Sequence, residues 1–599
     1  MASLPPLTIT TNGTATAAFS TLSSSPFLKK NQLQISSIKN TKHLFKVSCQ
    51  STNNHDQNPT SKNSENPLNK LDRRNVLIGL GGYSAATLVP NPAALSAPVR
   101  APDLTKCGKA DLPTGAKATN CCPPISTKIV EFKPPPRPNS MRIRPATHLA
   151  SDKYTAKFER AIQLMKELPD DDPRSFSQQA DIHCAYCDGA YDQVGFPDLE
   201  LQVHNSWLFL PFHRYYLYFF ERILGKLIDD PSFAMPFWSW DSPESMKMPA
   251  MYANPNSSLY NKLRDTKHQP PTLIDLDYDL TDPTTTNKEQ ISSNLSIMYR
   301  QVVSTGKTAK LFMGTPYRAG DDPDPGAGAL ENTPHGPVHI WCGDRTQPNI
   351  EDMGNFYSAG RDPIFFAHHS NVDRVWSIWK TLGGKRKDFT DPDWLNAEFL
   401  FYDENAQLVR VKVKDCLDSK NLGYVYQDTS VPWLKNRPTP LVSKVSRKIK
   451  KSGVAMAAEI AAASQVFPTK LDKVVRAMVA RPRKSRTTKE KDDEEEILVI
   501  EGIEVNRESF VKFDVFINDE DETVIRPGNS EFAGSFVNVP HKHKHGSGKN
   551  ITKTCLRLGI SDLLEDLGAE DDDGVVVTLV PRSGAGNVTV GGAKIEFDS

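Results

Sequence analysis

The chain has 599 residues, too many for one ordinary domain and enough for two or three with sizeable cores. Lysine plus arginine equals aspartate plus glutamate at 72 each, a balance that gives no sign of a nucleic-acid partner or an anionic membrane surface.

Residues 1–50 contain no Asp or Glu, carry scattered lysines (Lys29, Lys30, Lys39, Lys42, Lys46) and are dense in Ser and Thr. This is transit-peptide composition, set against the blander reading of a disordered tail. Arg73-Arg74 then precede a short apolar stretch, Val76 to about Val89, and a small-residue region, Ala93–Ala97, suited to signal peptidase. Broken by Gly79, Gly81 and Gly82, that stretch falls short of the roughly 20 residues that span a bilayer, and it reads as a twin-arginine export signal. Two targeting segments in series, residues 1–97, predict import into a plastid and then into the thylakoid lumen. The mature protein is expected to begin near Ala97 without a membrane anchor, at most peripheral to the thylakoid membrane.

Among nine cysteines, Cys107, Cys121 and Cys122 lie in a Pro-, Gly- and Lys-rich stretch that would need covalent staples to be ordered, with Cys184 a candidate fourth partner. Cys342, Cys416 and Cys555 read as buried free thiols. Residues 98–150 read as largely irregular. From Asp152 to Leu168, Tyr154, Phe158, Ile162 and Met165 recur at three- and four-residue steps, which predicts an amphipathic helix ending before Pro169. Helix-like stretches return at Phe212–Ile228 and Pro363–Lys380. Beyond Asp391-Pro392-Asp393-Trp394-Leu395, Glu398–Tyr402 and Leu408–Val413 read as a hairpin. Lys444, Arg447, Lys448, Lys450 and Lys451, followed by the alanine-rich Ala455–Ala463, read as an exposed linker open to a protease. After about Phe467 short alternating strands dominate, among them Leu471–Val479, Ile497–Val505, Ser509–Ile517 and Gly574–Val580, which predicts a separate β-sandwich. The charge block Lys489–Glu496 reads as a solvated loop. His541, His543 and His545 alternate with lysines and could attract a metal, but chance placement on the surface is the preferred reading.

The chemistry lies in the histidines. His335 and His339, four residues apart, share one face of a helix and can share one metal, with a third ligand from either His368 or His369. His183, His204 and His213 form a second set. Nine residues separate the last two, so one continuous helix would put them on opposite faces; Pro211 instead starts a helix with His204 ahead of it and His213 in its first turn. Two sets of three histidines from separate helices are how a helical bundle builds a central metal site. Zinc hydrolases carry a general-base glutamate directly after the first histidine of such a pair, a place held here by Gly336. All-imidazole ligation with open positions suits copper that cycles between two oxidation states and meets dioxygen.

His204-Asn-Ser-Trp-Leu-Phe-Leu-Pro-Phe-His213-Arg214-Tyr215 resembles the first copper signature of the tyrosinase family. Arg361-Asp362-Pro363-Ile-Phe-Phe-Ala-His368-His369-Ser-Asn371-Val-Asp373-Arg374 resembles the second. Asp393-Trp394-Leu395 and Lys512-Phe513-Asp514-Val515 resemble two further domains that mark plant polyphenol oxidases, so the resemblance covers residues 98–599. It implies a mainly α dicopper domain (98–390) with a four-helix core, long loops and small hairpins, a small region completing it (391–435), a cleavable linker (436–465) and a C-terminal β-sandwich (466–599) that covers the copper site until removed. It further implies His183, His204 and His213 on one copper and His335, His339 and His369 on the other, with His368 a near neighbour. A thioether between Cys187 and His204 and disulfides Cys107–Cys122 and Cys121–Cys184 are implied too. Phe356 corresponds to a phenylalanine over the second copper that stacks on the substrate, and Glu331 to a glutamate that holds a water and accepts a phenolic proton. Gly336 and Ile340 shape the pocket.

The implied activity is oxidation of ortho-diphenols to ortho-quinones with reduction of dioxygen to water. Gly336 stands where hydroxylating members carry an asparagine, so strong catechol oxidase and weak monophenol hydroxylase activity is expected. The alternatives are a substantial monophenol hydroxylase, a dedicated flavonoid or chalcone oxidase and, from a different class, a dioxygen-binding protein.

Overall fold

In this computed structural model, residues 97–136, 140–441, 460–519, 521–542 and 551–598 are described. The leader up to Ser96, the basic cluster Lys444–Lys451, and His543 and His545 lie outside them.

The helices that matter start and stop for local reasons. Ser175 caps the Phe176–Cys187 helix by accepting from Gln178 N. Asp362 accepts from Ile364 N at 3.0 Å, opening the Ile364–Thr381 helix directly after Pro363. The Asp152–Glu167 helix, capped by Ser151, buries Phe158, Ala161, Ile162 and Met165 and ends ahead of Pro169, as its periodicity predicts. The Phe209–Leu227 helix begins three residues before the predicted start. It is apolar almost all round because it runs through the middle of the domain. Phe176–Cys187, Phe209–Leu227, Gly336–Cys342 and Ile364–Thr381 converge at the centre. Buried ion pairs tie this frame together: Arg214, next to His213, pairs with Asp373, and Arg374 pairs with Asp241 at 3.1 Å. Removing one partner from such a pair leaves an uncompensated buried charge.

Disulfides join Cys107 to Cys122 and Cys121 to Cys184, pinning the irregular early segment to the helix that carries His183. The Glu398–Tyr402 and Leu408–Lys412 strands form the expected antiparallel hairpin, and Ile129–Glu131 adds parallel to it.

The C-terminal part is a sandwich of two sheets. One runs Phe532–Asn538, Val511–Ile517, Gly574–Ser583, Val475–Ala480, all antiparallel. In the other, Glu495–Asn506 lies between Ile551–Gly559 and the strands Thr589–Val590 and Gly592–Asp598. Within Asn91–Ser599 the described residues form one compact unit, so the sandwich is docked on the helical part.

The solvated-loop reading of Lys489–Glu496 holds in part: Lys489, Asp492 and Asp493 are exposed, but the segment is not a loop and its end is buried. Thr488–Asp493 is a helix with a Thr487/Glu490 capping box, and Glu495 and Glu496 are buried at the start of a strand. Glu496 pairs with Arg481 at 2.7 Å and Glu495 with Lys307 of the helical part at 3.4 Å, partners too distant in sequence for a local reading to find. Among the described residues no helix is long and apolar enough to cross a membrane.

Candidate metal centre

Four of the histidines are held in the same way. The Nδ1 atoms of His183, His213, His335 and His339 lie 2.7, 2.8, 3.0 and 2.7 Å from the backbone carbonyls of Phe356, Phe209, Glu331 and Met353. A carbonyl only accepts, so each ring carries its proton on Nδ1 and turns the Nε2 lone pair inward. The Nε2 atoms of His183, His213 and His335 are buried without a hydrogen-bond partner, and Nε2 of His339 faces Nε2 of His369 at 3.2 Å. His204 sits ahead of its helix, its backbone N–H donating to Gln202 Oε1, with both ring nitrogens buried and unpartnered.

His183, His204 and His213 can bring ligand atoms within 4.8 Å of one another, and so can His335, His339, His368 and His369. The sets adjoin: His213 stacks on His369 at 4.2 Å and His204 on His335 at 6.2 Å. Burial pushes His183 down to about 3 and His339 to about 4, and holds the others well below the usual imidazole value, so the rings are neutral ligands at physiological pH. So many orphaned lone pairs pointing at shared space, with no carboxylate in either set, would be costly unless cations occupied that space. The donor sets fit two copper ions.

His368 differs. The indole N–H of Trp240 donates to its Nδ1 at 3.1 Å, so the proton sits on Nε2 and that atom has no lone pair to offer. Nothing in local sequence links Trp240 to His368, so their spacing carried no such signal.

Glu331 Oε1 accepts from Asn205 N at 2.7 Å while Oε2 is buried without a partner, and burial raises the carboxyl well above its usual range. Ile340 is buried on the same helix as His339. Phe356 requires a correction. It stacks on His204 at 4.1 Å and meets His183 edge-on at 5.6 Å, so it lies against the first histidine set, not the second. The Phe356–Ala359 helix packs on the Phe176–Cys187 helix, and Phe356 O holds His183, which fixes the ring there. Cys187 is a buried free thiol whose carbonyl is joined to the His204 backbone through the Gln202 side chain; Cys342 and Cys416 are buried and Cys555 is half-buried.

The sandwich covers this centre with its Phe532–Asn538 edge strand and the residues after it. A Cβ on Gly336 would meet Val537 Cγ1 at 2.9 Å and Val539 Cγ2 at 3.4 Å. Phe356 N donates to Pro540 O at 3.2 Å, and Lys542 N to Asp188 Oδ1 at 3.2 Å. The surface reading of His541 is therefore wrong: it is buried, stacked on Phe356 at 4.8 Å. Its neighbours come from the helical part, which alternation with lysine could not reveal.

Three family models match: the common central domain of tyrosinase at residues 173–382, the polyphenol oxidase middle domain at 388–439 and the chloroplastic polyphenol oxidase C-terminal domain at 467–597. A chloroplastic polyphenol oxidase of Malus domestica is 61% identical over 610 residues, covering 100% of both chains. The solved structure of latent apple tyrosinase is 62% identical with a TM-score of 0.74, covering 79% of this chain and 100% of that one. The crystal structure of Grenache (Vitis vinifera) polyphenol oxidase is 64% identical with a TM-score of 0.56, and the whole of it matches 56% of this chain. With a relative this similar from end to end, the chain belongs to the polyphenol oxidases of the tyrosinase family.

Proposed function

We propose that the enzyme is a catechol oxidase, with one copper on His183, His204 and His213 and the second on His335, His339 and His369. The observation that carries this is the inward turn of the Nε2 lone pairs, with His368 set aside by the Trp240 N–H. When bound, the copper pair supplies the electron transfer by which two ortho-diphenols and one dioxygen become two ortho-quinones and two waters. The chain's own part is to hold four of the imidazoles, His183, His213, His335 and His339, by their Nδ1 protons, to keep water out with an apolar surround, and to orient the phenol. A thioether between Cys187 and His204 fits the orphaned His204 ring, which has no hydrogen bond to fix it.

Monophenols ask for more. A free phenol has a pKa of about 10, so a base must take its proton on site. Burial raises the Glu331 carboxyl well above its usual range in the covered chain, and Gly336 has no side chain to hold a water beside it. Diphenols are more acidic and bind through two oxygens, so they depend less on this base.

The leader places the mature enzyme in the thylakoid lumen in this reading, consistent with relatives named chloroplastic. The enzyme is latent until a protease cuts the linker within 436–465 and removes the sandwich. The test is metal analysis with oxygen uptake on catechol, 4-methylcatechol and tyramine, before and after limited proteolysis. Two coppers per chain, fast catechol oxidation after cutting and weak tyramine turnover are expected. Lag-free tyramine hydroxylation, or an uncut enzyme as fast as the cut one, refutes the corresponding part.

A further inference from the structure

Asn332 follows Glu331 directly and precedes His335 by three residues, yet it takes no part in holding either. Its side chain reads a peptide backbone instead. Val537 N donates to Asn332 Oδ1 at 2.9 Å and Asn332 Nδ2 donates to Ser535 O. Ser535 and Val537 lie on the edge strand of the sandwich, so the amide caps two ladder groups that another strand would otherwise pair. From Asn332 the covering segment runs past Gly336, under Val537 and Val539, to Phe356, where Phe356 N takes Pro540 O and the His541 ring stacks. Aromatic ring, spacer and amide thus follow one another along the covering segment. Val537 and His541 are four residues apart, so at most about 13 Å separates them.

We propose that Asn332 is a specificity-determining residue of the uncovered enzyme, holding an amide group in the tail of a catechol substrate where the Ser535–Val537 main chain sits in the full-length chain. The substrate class is an ortho-diphenol joined to an extended, amide-bearing tail, such as a catechol acyl peptide. This rests on the catechol-oxidase reading only for turnover; the binding stands apart from it. The covering strand is an imprint of the ligand: it presents a carbonyl and an N–H to one carboxamide, and an aromatic ring to Phe356. Once the sandwich leaves, the Asn332 donor and acceptor both face the groove. A tail that restores both bonds gains, and one that cannot leaves them to water.

The test uses the protease-trimmed enzyme, a form whose counterpart stands alone in the Grenache structure. A labelled peptide of residues 531–542 is bound to it and displaced by 3,4-dihydroxyphenylpropanoyl amides carrying zero to three glycines, with 4-methylcatechol as the tail-free reference. Affinity is expected to rise once the tail reaches Asn332. Asn332→Ala should cancel that rise and weaken the peptide, each about tenfold. Asn332→Asp, which keeps shape and the acceptor for Val537 N but sets a carboxylate oxygen against the Ser535 carbonyl, should lose at least as much. KM ratios of the amides to 4-methylcatechol should follow the same order. A flat amide series, or a rise that survives both variants, overturns the proposal even where the peptide binds. If displacement follows Asn332 but no diphenol is oxidised, the assignment of Asn332 holds and the catechol-oxidase reading fails.

Discussion

At the scale of single residues, hydrogen bonds distinguish the imidazoles. His368 and His369 are adjacent on one helix and both reach the second set, but Trp240 spends the Nδ1 lone pair of His368 and leaves a proton on its other nitrogen. His369→Ala is therefore expected to lower bound copper toward one per chain and abolish oxidase activity, while His368→Ala retains two; equal losses in metal analysis would reverse the assignment. Burial also makes the copper-free protein sensitive to acid. Folded His183 and His339 titrate near 3 and 4, below the unfolded value of about 6.5. The unfolded chain binds protons that the folded one refuses, so stability held above pH 6.5 is lost as pH falls toward 4. The cost is about 1.4 kcal/mol per pH unit for each such ring. Copper-stripped protein should show a melting temperature that drops steeply between pH 7 and 5; a flat profile would contradict neutral buried rings.

Among the elements, the Lys512-Phe513-Asp514-Val515 strand shows why a motif reads as it does. Phe513 and Val515 point into the sandwich core, whereas Lys512 and Asp514 face the helical part. Lys512 Nζ lies 2.6 Å from Asp514 and 3.2 Å from Asp277, with Arg582 at 2.6 Å from Asp514. Asp277 and Asp514 hold the lysine charged, and Lys512 and Arg582 keep Asp514 below its usual range. Lys512→Met leaves buried Asp514 with Arg582 alone and half-buried Asp277, whose carboxyl burial raises to about 7, without its cation, a loss of up to about 3 kcal/mol. Part of it falls on docking, so the variant should show a higher uncut catechol rate than the parent; an unchanged uncut rate would deny this network a role in docking. Alternation made the strand legible in sequence, but not Asp277, which lies more than two hundred residues away.

Across the whole molecule, the sandwich and the copper centre meet at Gly336, and one substitution tests both parts. In trimmed enzyme, Gly336→Asn should raise the ratio of monophenol to diphenol turnover by offering a hydrogen bond beside Glu331. In the full-length chain the new side chain collides with Val537, so the uncut diphenol rate should rise as well. A rise in neither form would leave pocket shape, set by Ile340 and Phe356, as the controlling factor. By itself the sequence determined what local spacing and chemistry can carry: the helix bearing Phe158 and Ile162, the hairpin at Glu398–Lys412, the alternating strands of the sandwich and the two groups of histidines. Only the tertiary structure decided that Phe356 lies on His204, that Trp240 donates to His368, and that His541 and Val537 cover the site. The physical reason is that each of these depends on contacts between segments far apart in the chain, and neither periodicity nor composition encodes which distant partner a side chain will meet.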